Sequence, residues 1–192
     1  RIDGDRLAAD DSLVAAVEVA DAVRALLVDG DPSPEPFAGE TDFLAVALDP
    51  TGDVASGIRP EMISEDRLAA VDLAPYDLVI LPGLKQVPAG LARSLVGFVQ
   101  AGGGLLIFLG DELGASQYNQ ELRDILPARL GHLERNTAAA FAQKWHLDDY
   151  DLNSPVFSVF RAPNSGNLAL VAFHRRFTLT ALDGSQVAAR FE

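Results

Sequence analysis

Carboxylates crowd two short stretches of this chain. Asp29 and Asp31 fall in "LLVDGDP", and Asp111 and Glu112 in "LLIFLGDELG". Hard cations such as Mg²⁺ and Ca²⁺ prefer oxygen ligands of this kind, so two acidic loops raise metal-assisted hydrolysis as one chemistry. A second spacing is His146-x-Asp148 in "KWHLDDYD". An acid beside a histidine can orient the imidazole as a base, provided a nucleophile is at hand. The chain has no cysteine, which excludes a thiol nucleophile, thiolate metal ligands and disulfides. Ser116 is the nearest hydroxyl to the acidic turn, but no Gly-x-Ser-x-Gly surrounds it, and it falls where a helix N-cap is expected. Asp111 as a covalent nucleophile would need a partner acid or a metal. His132 and His174 lack ligand-spaced neighbours. No Gly-x-Gly-x-x-Gly or P-loop is present, and "AGGGL" precedes a strand, so it reads as a helix-to-strand turn and not a phosphate cradle.

The acids sit at the ends of apolar runs, and those runs set their positions. Val23–Val28, Tyr76–Gly83 and Gly104–Gly110 are short, nearly continuous apolar segments bounded by Gly, Pro or Asp. That pattern predicts buried parallel strands, the last of them a buried central strand. Gly57–Ser64 predicts a weaker strand. Helices are expected over Phe37–Leu48, with Phe37, Phe43, Leu44 and Ala47 on one face, and over "EDRLAAVD" capped by Ser64. Two more are expected: one from Pro88, with Leu91, Leu95 and Phe98 as its stripe, and one over Ser116–Leu126. Strands alternating with helices imply βαβ units, and hence an α/β, flavodoxin-like doubly wound parallel sheet from Val23 to about Leu130. Sites in such sheets lie outside the carboxyl ends of the strands. Asp29, Asp31, Gly83, Gly110, Asp111 and Glu112 are therefore the candidate ligand or metal residues, one acidic loop facing the other. His146 and Asp148 are a degenerate, triad-like pair with nothing to activate.

After Leu130 the chain becomes β-branched and aromatic, with turn signals at Pro163–Asn167 and Asp183-Gly184, so residues 131–192 predict an added antiparallel β region. Residues 1–22 are ambiguous: Leu13, Ala16, Val17 and Ala20 give a helical stripe, but the β-branched residues favour a strand at about Leu13–Val19. The closing "SQVAARFE" reads as a strand without a closing element, so the chain is expected to be a piece of a longer protein, truncated within the 23–192 domain. With 192 residues, 48% of them hydrophobic, a sizeable core is expected. A formal net charge of −13 repels a phosphate backbone and argues against nucleic acid as a partner. No apolar run reaches the roughly 18 residues of a membrane span.

Two resemblances bear on function. "ALLVDGDP" and "YDLVIL" resemble the first and central strands of response-regulator receiver domains. The phosphoacceptor aspartate that family requires is replaced here by Pro82, so phosphoacceptor activity is not expected. The order of "VRALLVDGDPSPEPFAGETDFLAVAL", "YDLVILPGL", "FVQAGGGLLIFLGDELGASQYN" and "LPARLG" is similar to the class I glutamine amidotransferase-like domain of bacterial aerotolerance-type (Bat-like) membrane proteins. Those proteins also carry a von Willebrand A domain and a β-sandwich, so the resemblance implies that residues 1–22 are the end of a preceding β-sandwich domain or a linker strand. The resemblance implies an extracytoplasmic (periplasmic) module of a membrane-anchored parent, with protein partners in a cell-envelope complex; a cytoplasmic location stays open. True class I amidotransferases use a Cys-His-Glu triad, and this chain lacks the Cys, so the resemblance implies the fold without glutaminase activity. The expected function is a non-catalytic binding module that needs no cofactor. A divalent-cation hydrolase using the acidic loops and a structural spacer are the alternatives.

Overall fold

The computed structural model describes residues 21–30, 35, 37, 39–50, 56–162 and 165–192. The strand expected at Leu13–Val19, and Asp31, lie outside the described residues. Four strands, β1 (Val23–Asp29), β2 (Ile58–Ser64), β3 (Leu78–Pro82) and β4 (Gly104–Phe108), form a parallel sheet in the order β2–β1–β3–β4. The central pair explains the apolar runs. Leu26, Leu27 and Val28 of β1 and Val79, Ile80 and Leu81 of β3 are all buried, because helices cover both faces.

Alternation along the strands deals these residues to two cores. Leu26, Val28, Val79 and Leu81 pack with Leu68 of α2 (Glu65–Leu68), with Leu91, Ala92 and Leu95 of α3 (Ala89–Gln100), and with Tyr118 of α4 (Ala115–Glu121). Ala25, Leu27 and Ile80 face the other way, against Leu44, Ala45 and Leu48 of α1 (Glu40–Leu48). The result is a mixed α/β architecture compatible with a flavodoxin-like fold. Beyond it, β5 (Ala128–Arg135) pairs antiparallel with β7 (Arg175–Ala181), and β6 (Leu147–Tyr150) with β8 (Ala189–Phe191).

Several expectations are corrected. β4 is an edge strand and not a central one. β5 pairs with β7 instead of extending the sheet, which leaves Leu106 43% and Phe108 42% exposed. α1 begins at Glu40, and its inner face is Leu44, Ala45 and Leu48. Phe37 and Phe43 are exposed and lie against each other, ring centroids 6.0 Å apart. α2 is a single turn, closed by i→i+3 hydrogen bonds from Ala70 N to Arg67 O and from Val71 N to Leu68 O, and Ser64 makes no side-chain cap bond. Gly114 precedes α4, so Ser116 lies within the helix and is not its cap.

"SPVFSVFRAP", expected as β structure, forms turns and a 3-10 helix at Ser158–Arg161. Phe157 and Phe160 gather around Tyr150 there, at 5.5 and 6.5 Å. Arg176 ties the β5–β7 pair to Trp145, which precedes β6. Its Nε donates to Glu134 at 2.8 Å, and its guanidinium lies 4.3 Å from the ring centre of Trp145, which bridges to Phe173.

Candidate functional site

The strand order reverses direction between β1 and β3: from β1 the chain moves outward to β2, then returns to the far side for β3 and β4. Loops leaving neighbouring carboxyl ends diverge at such a point and open a crevice. Here the crevice is a cleft of about 480 Å³ that includes Asp29 and Gly30 after β1, Gly83 after β3, and Gly110, Asp111 and Glu112 after β4.

Two glycines bring the floor of the cleft together. Gly83 has φ 62°, a left-handed conformation that costs side-chain-bearing residues strain. Its N–H donates to Phe108 O at 3.0 Å, so the turn after β3 is tied to the end of β4. A Cβ on Gly110 would lie 2.8 Å from Gly83 Cα. The two backbones therefore run in contact, and no side chain projects from the point where a strand-to-helix turn would present a nucleophile.

The far wall is charged and internally matched. Asp111 is ion-paired with Arg175, the first residue of β7. Glu112 is paired with Lys85 at 2.6 Å, and the Lys85 hydrogen bond and charge hold its carboxyl below the usual glutamate range. Each acid after β4 thus meets a cation. The near wall comes from the first turn of α1. Glu40 leans over Gly83, its Oε2 lying 3.7 Å from where a Cβ there would sit. Thr41 is 2% exposed, and it too lines the cleft.

The fold therefore gathers Asp29, Gly83, Gly110, Asp111 and Glu112 into one cleft; Asp31 lies outside the described residues. His146 and Asp148 are not part of it. His146 is buried, with Nδ1 2.9 Å from Ala169 O and Nε2 3.0 Å from Phe141 O, while Asp148 is exposed. The imidazole fastens two loops of the C-terminal region to each other. Among the described residues no group of three or more His, Asp or Glu side chains converges to hold a metal ion.

Four lining residues with polar or charged side chains were not among the predicted site residues: Glu40, Thr41, Lys85 and Arg175. Lys85 could have been found, since it lies in a carboxyl-end loop, and Glu40 and Thr41 lie one loop away from Asp29. Nothing local marks Arg175, which reaches the cleft only through the pairing of β7 with β5.

Comparison with models of protein families, with curated proteins and with solved structures gave no match. Among the described residues no helix is long and apolar enough to cross a membrane.

Proposed function

We propose that this domain is a non-catalytic, amidotransferase-like module that binds a ligand or a protein partner in the cleft at the carboxyl ends of β1, β3 and β4. One observation carries the reading. The cleft sits at the reversal of strand order, where α/β sheets bind ligands, yet its turn residues are glycines in contact and an aspartate committed to Arg175. Covalent catalysis needs a nucleophile beside a base that a third group orients. Asp111 is occupied by a guanidinium, and His146, the nearest approach to a triad base, has both ring nitrogens against backbone carbonyls outside the cleft. The sequence resemblance supports the same reading and adds its context: a piece of a larger bacterial envelope protein, exposed outside the cytoplasm and working in a protein complex.

A glutaminase assay tests it. Incubation with L-glutamine is expected to release ammonia at the rate of a protein-free blank, and Asp111→Asn and His146→Gln are expected to leave that rate unchanged. Turnover of glutamine that either substitution abolishes would overturn the reading.

A further inference from the structure

We propose that β4 is the seat of a symmetric dimer, in which the edge strands of two copies of this chain pair antiparallel and join their parallel sheets into one. The backbone is the starting observation. Among the described residues β4 has β3 as its only strand neighbour. Gly104 N–H donates to Asp77 O at 2.8 Å, and Phe108 O accepts from Gly83 N–H at 3.0 Å. In the parallel register Gly104, Leu106 and Phe108 are therefore the residues that bond to β3. The N–H and C=O groups of Leu105 and Ile107 face the other way, and no hydrogen bond to them forms among the described residues. Natural edge strands are guarded by a charge, a proline or a bulge. Residues 101–110 hold no charge and no proline, and β4 keeps its register with β3 without a shift.

Those outward groups specify the occupant. A second β4 laid antiparallel, with its Leu106 opposite Leu106, sets Leu105 opposite Ile107 of the second copy and Ile107 opposite its Leu105. Both are hydrogen-bonding pairs in that register, so each strand satisfies the outward N–H and C=O groups of the other. The side chains agree with it. Leu105 and Ile107 pack against the core on the α3 side, so Leu106 and Phe108 stand on the opposite face, where α1 covers β1 and β3 and leaves both of them exposed. Pairing brings the two Leu106 side chains together and sets each Phe108 ring beside Gly104 of the other copy, a residue with no side chain to obstruct it. On the α3 side the edge borders an apolar groove of about 310 Å³, lined by Val99, Leu105, Ile107, Leu126 and Leu179, which gives the incoming strand room. Charge favours the same meeting. Each chain carries −13, and the antiparallel register puts Asp111 of one copy opposite Ala101 of the other instead of a like charge. The two-fold axis uses the same patch on both copies, so assembly closes at two.

The test is sedimentation velocity of the full chain from roughly 1 to roughly 200 µM. A reversible monomer–dimer equilibrium is expected, with the dimer dominant at the top of the range. Leu106→Lys, confirmed folded by circular dichroism, sets two ammonium groups face to face across the two-fold axis and is expected to weaken dimerisation at least roughly tenfold. Leu106→Cys reads the register separately. A non-hydrogen-bonded antiparallel pair holds its Cα atoms about 4.5 Å apart, within disulfide reach. The chain has no other cysteine, so mild oxidation is expected to give a covalent dimer much faster than it does for Val159→Cys, an exposed site in the 3-10 helix at Ser158–Arg161. A monomer throughout the range, a dimer that Leu106→Lys leaves intact, or equal cross-linking of the two cysteine variants would overturn the proposal. None of these outcomes touches the non-catalytic reading of the cleft, which stands or falls on glutamine turnover.

Discussion

At Gly110 a single added methyl group would have to share space with the backbone of Gly83, 2.8 Å away. Neither partner in that contact is a flexible side-chain tip that could swing aside, so the strand ends themselves must separate. Gly110→Ala is therefore expected to destabilise the fold by about 1–3 kcal/mol, the usual cost of overpacking, read as a lower urea midpoint with an unchanged slope. The glycine was visible in the sequence as turn punctuation, but its counterpart was not. Close approach between Gly83 and Gly110 depends on β3 and β4 being neighbours in register, with Pro82 opposite Phe108. His146 teaches the same lesson in reverse. Its spacing from Asp148 suggested an oriented base, whereas its ring is held by the carbonyls of Phe141 and Ala169, neither of which a His-x-Asp spacing involves.

Among the elements, α4 depends most on one side chain. Tyr118 is fully buried and donates its hydroxyl to Leu84 O at 2.6 Å, fixing the helix to the loop that follows β3. Burial, with a smaller contribution from Glu65, raises its phenol above the ordinary tyrosine value. Above about pH 10 the unfolded chain ionises this tyrosine while the folded chain keeps it neutral, so stability falls as pH rises there. Tyr118→Phe is expected to cost about 1–3 kcal/mol at neutral pH, through the unpaired Leu84 carbonyl, and to flatten the alkaline decline in melting temperature. The elements were unevenly legible. β1 and β3 were evident because residues buried on both faces leave a continuous apolar signature. β4 carries that signature at an edge, so composition alone could not reveal that β5 turns away from it. α2 read longer than one turn because "AAVD" is helix-compatible locally, while the buried Leu73 draws the chain back toward the core.

On the scale of the molecule, ion pairs contribute to how the fold answers to acid. Glu134 is held below the usual glutamate range, chiefly by its hydrogen bond from Arg176, and Glu112 by Lys85. A carboxyl depressed in the folded state contributes stability above its unfolded value, about pH 4.3, and that contribution disappears as pH falls through the folded value. Melting temperature is therefore expected to drop below about pH 4, and Arg176→Gln should shrink the drop, measured by thermal unfolding across a pH series. The division into a parallel core and a later antiparallel region was readable from composition, since Val23–Leu130 alternates strand and helix signals and the remainder does not. What joins the two was not readable, because ion pairs between distant segments leave no periodic trace.

Arg175 opens β7, and its partner Asp111 follows β4. The wall of the cleft is thus also a seam between the parallel sheet and the antiparallel one. Any occupant that competes for either side chain must loosen that seam, and any force that shifts the antiparallel sheet must alter what the cleft can hold. The two events are reciprocal by thermodynamic necessity, so a strain gauge on one, such as Trp145 stacked on neighbouring Arg176, would read the other.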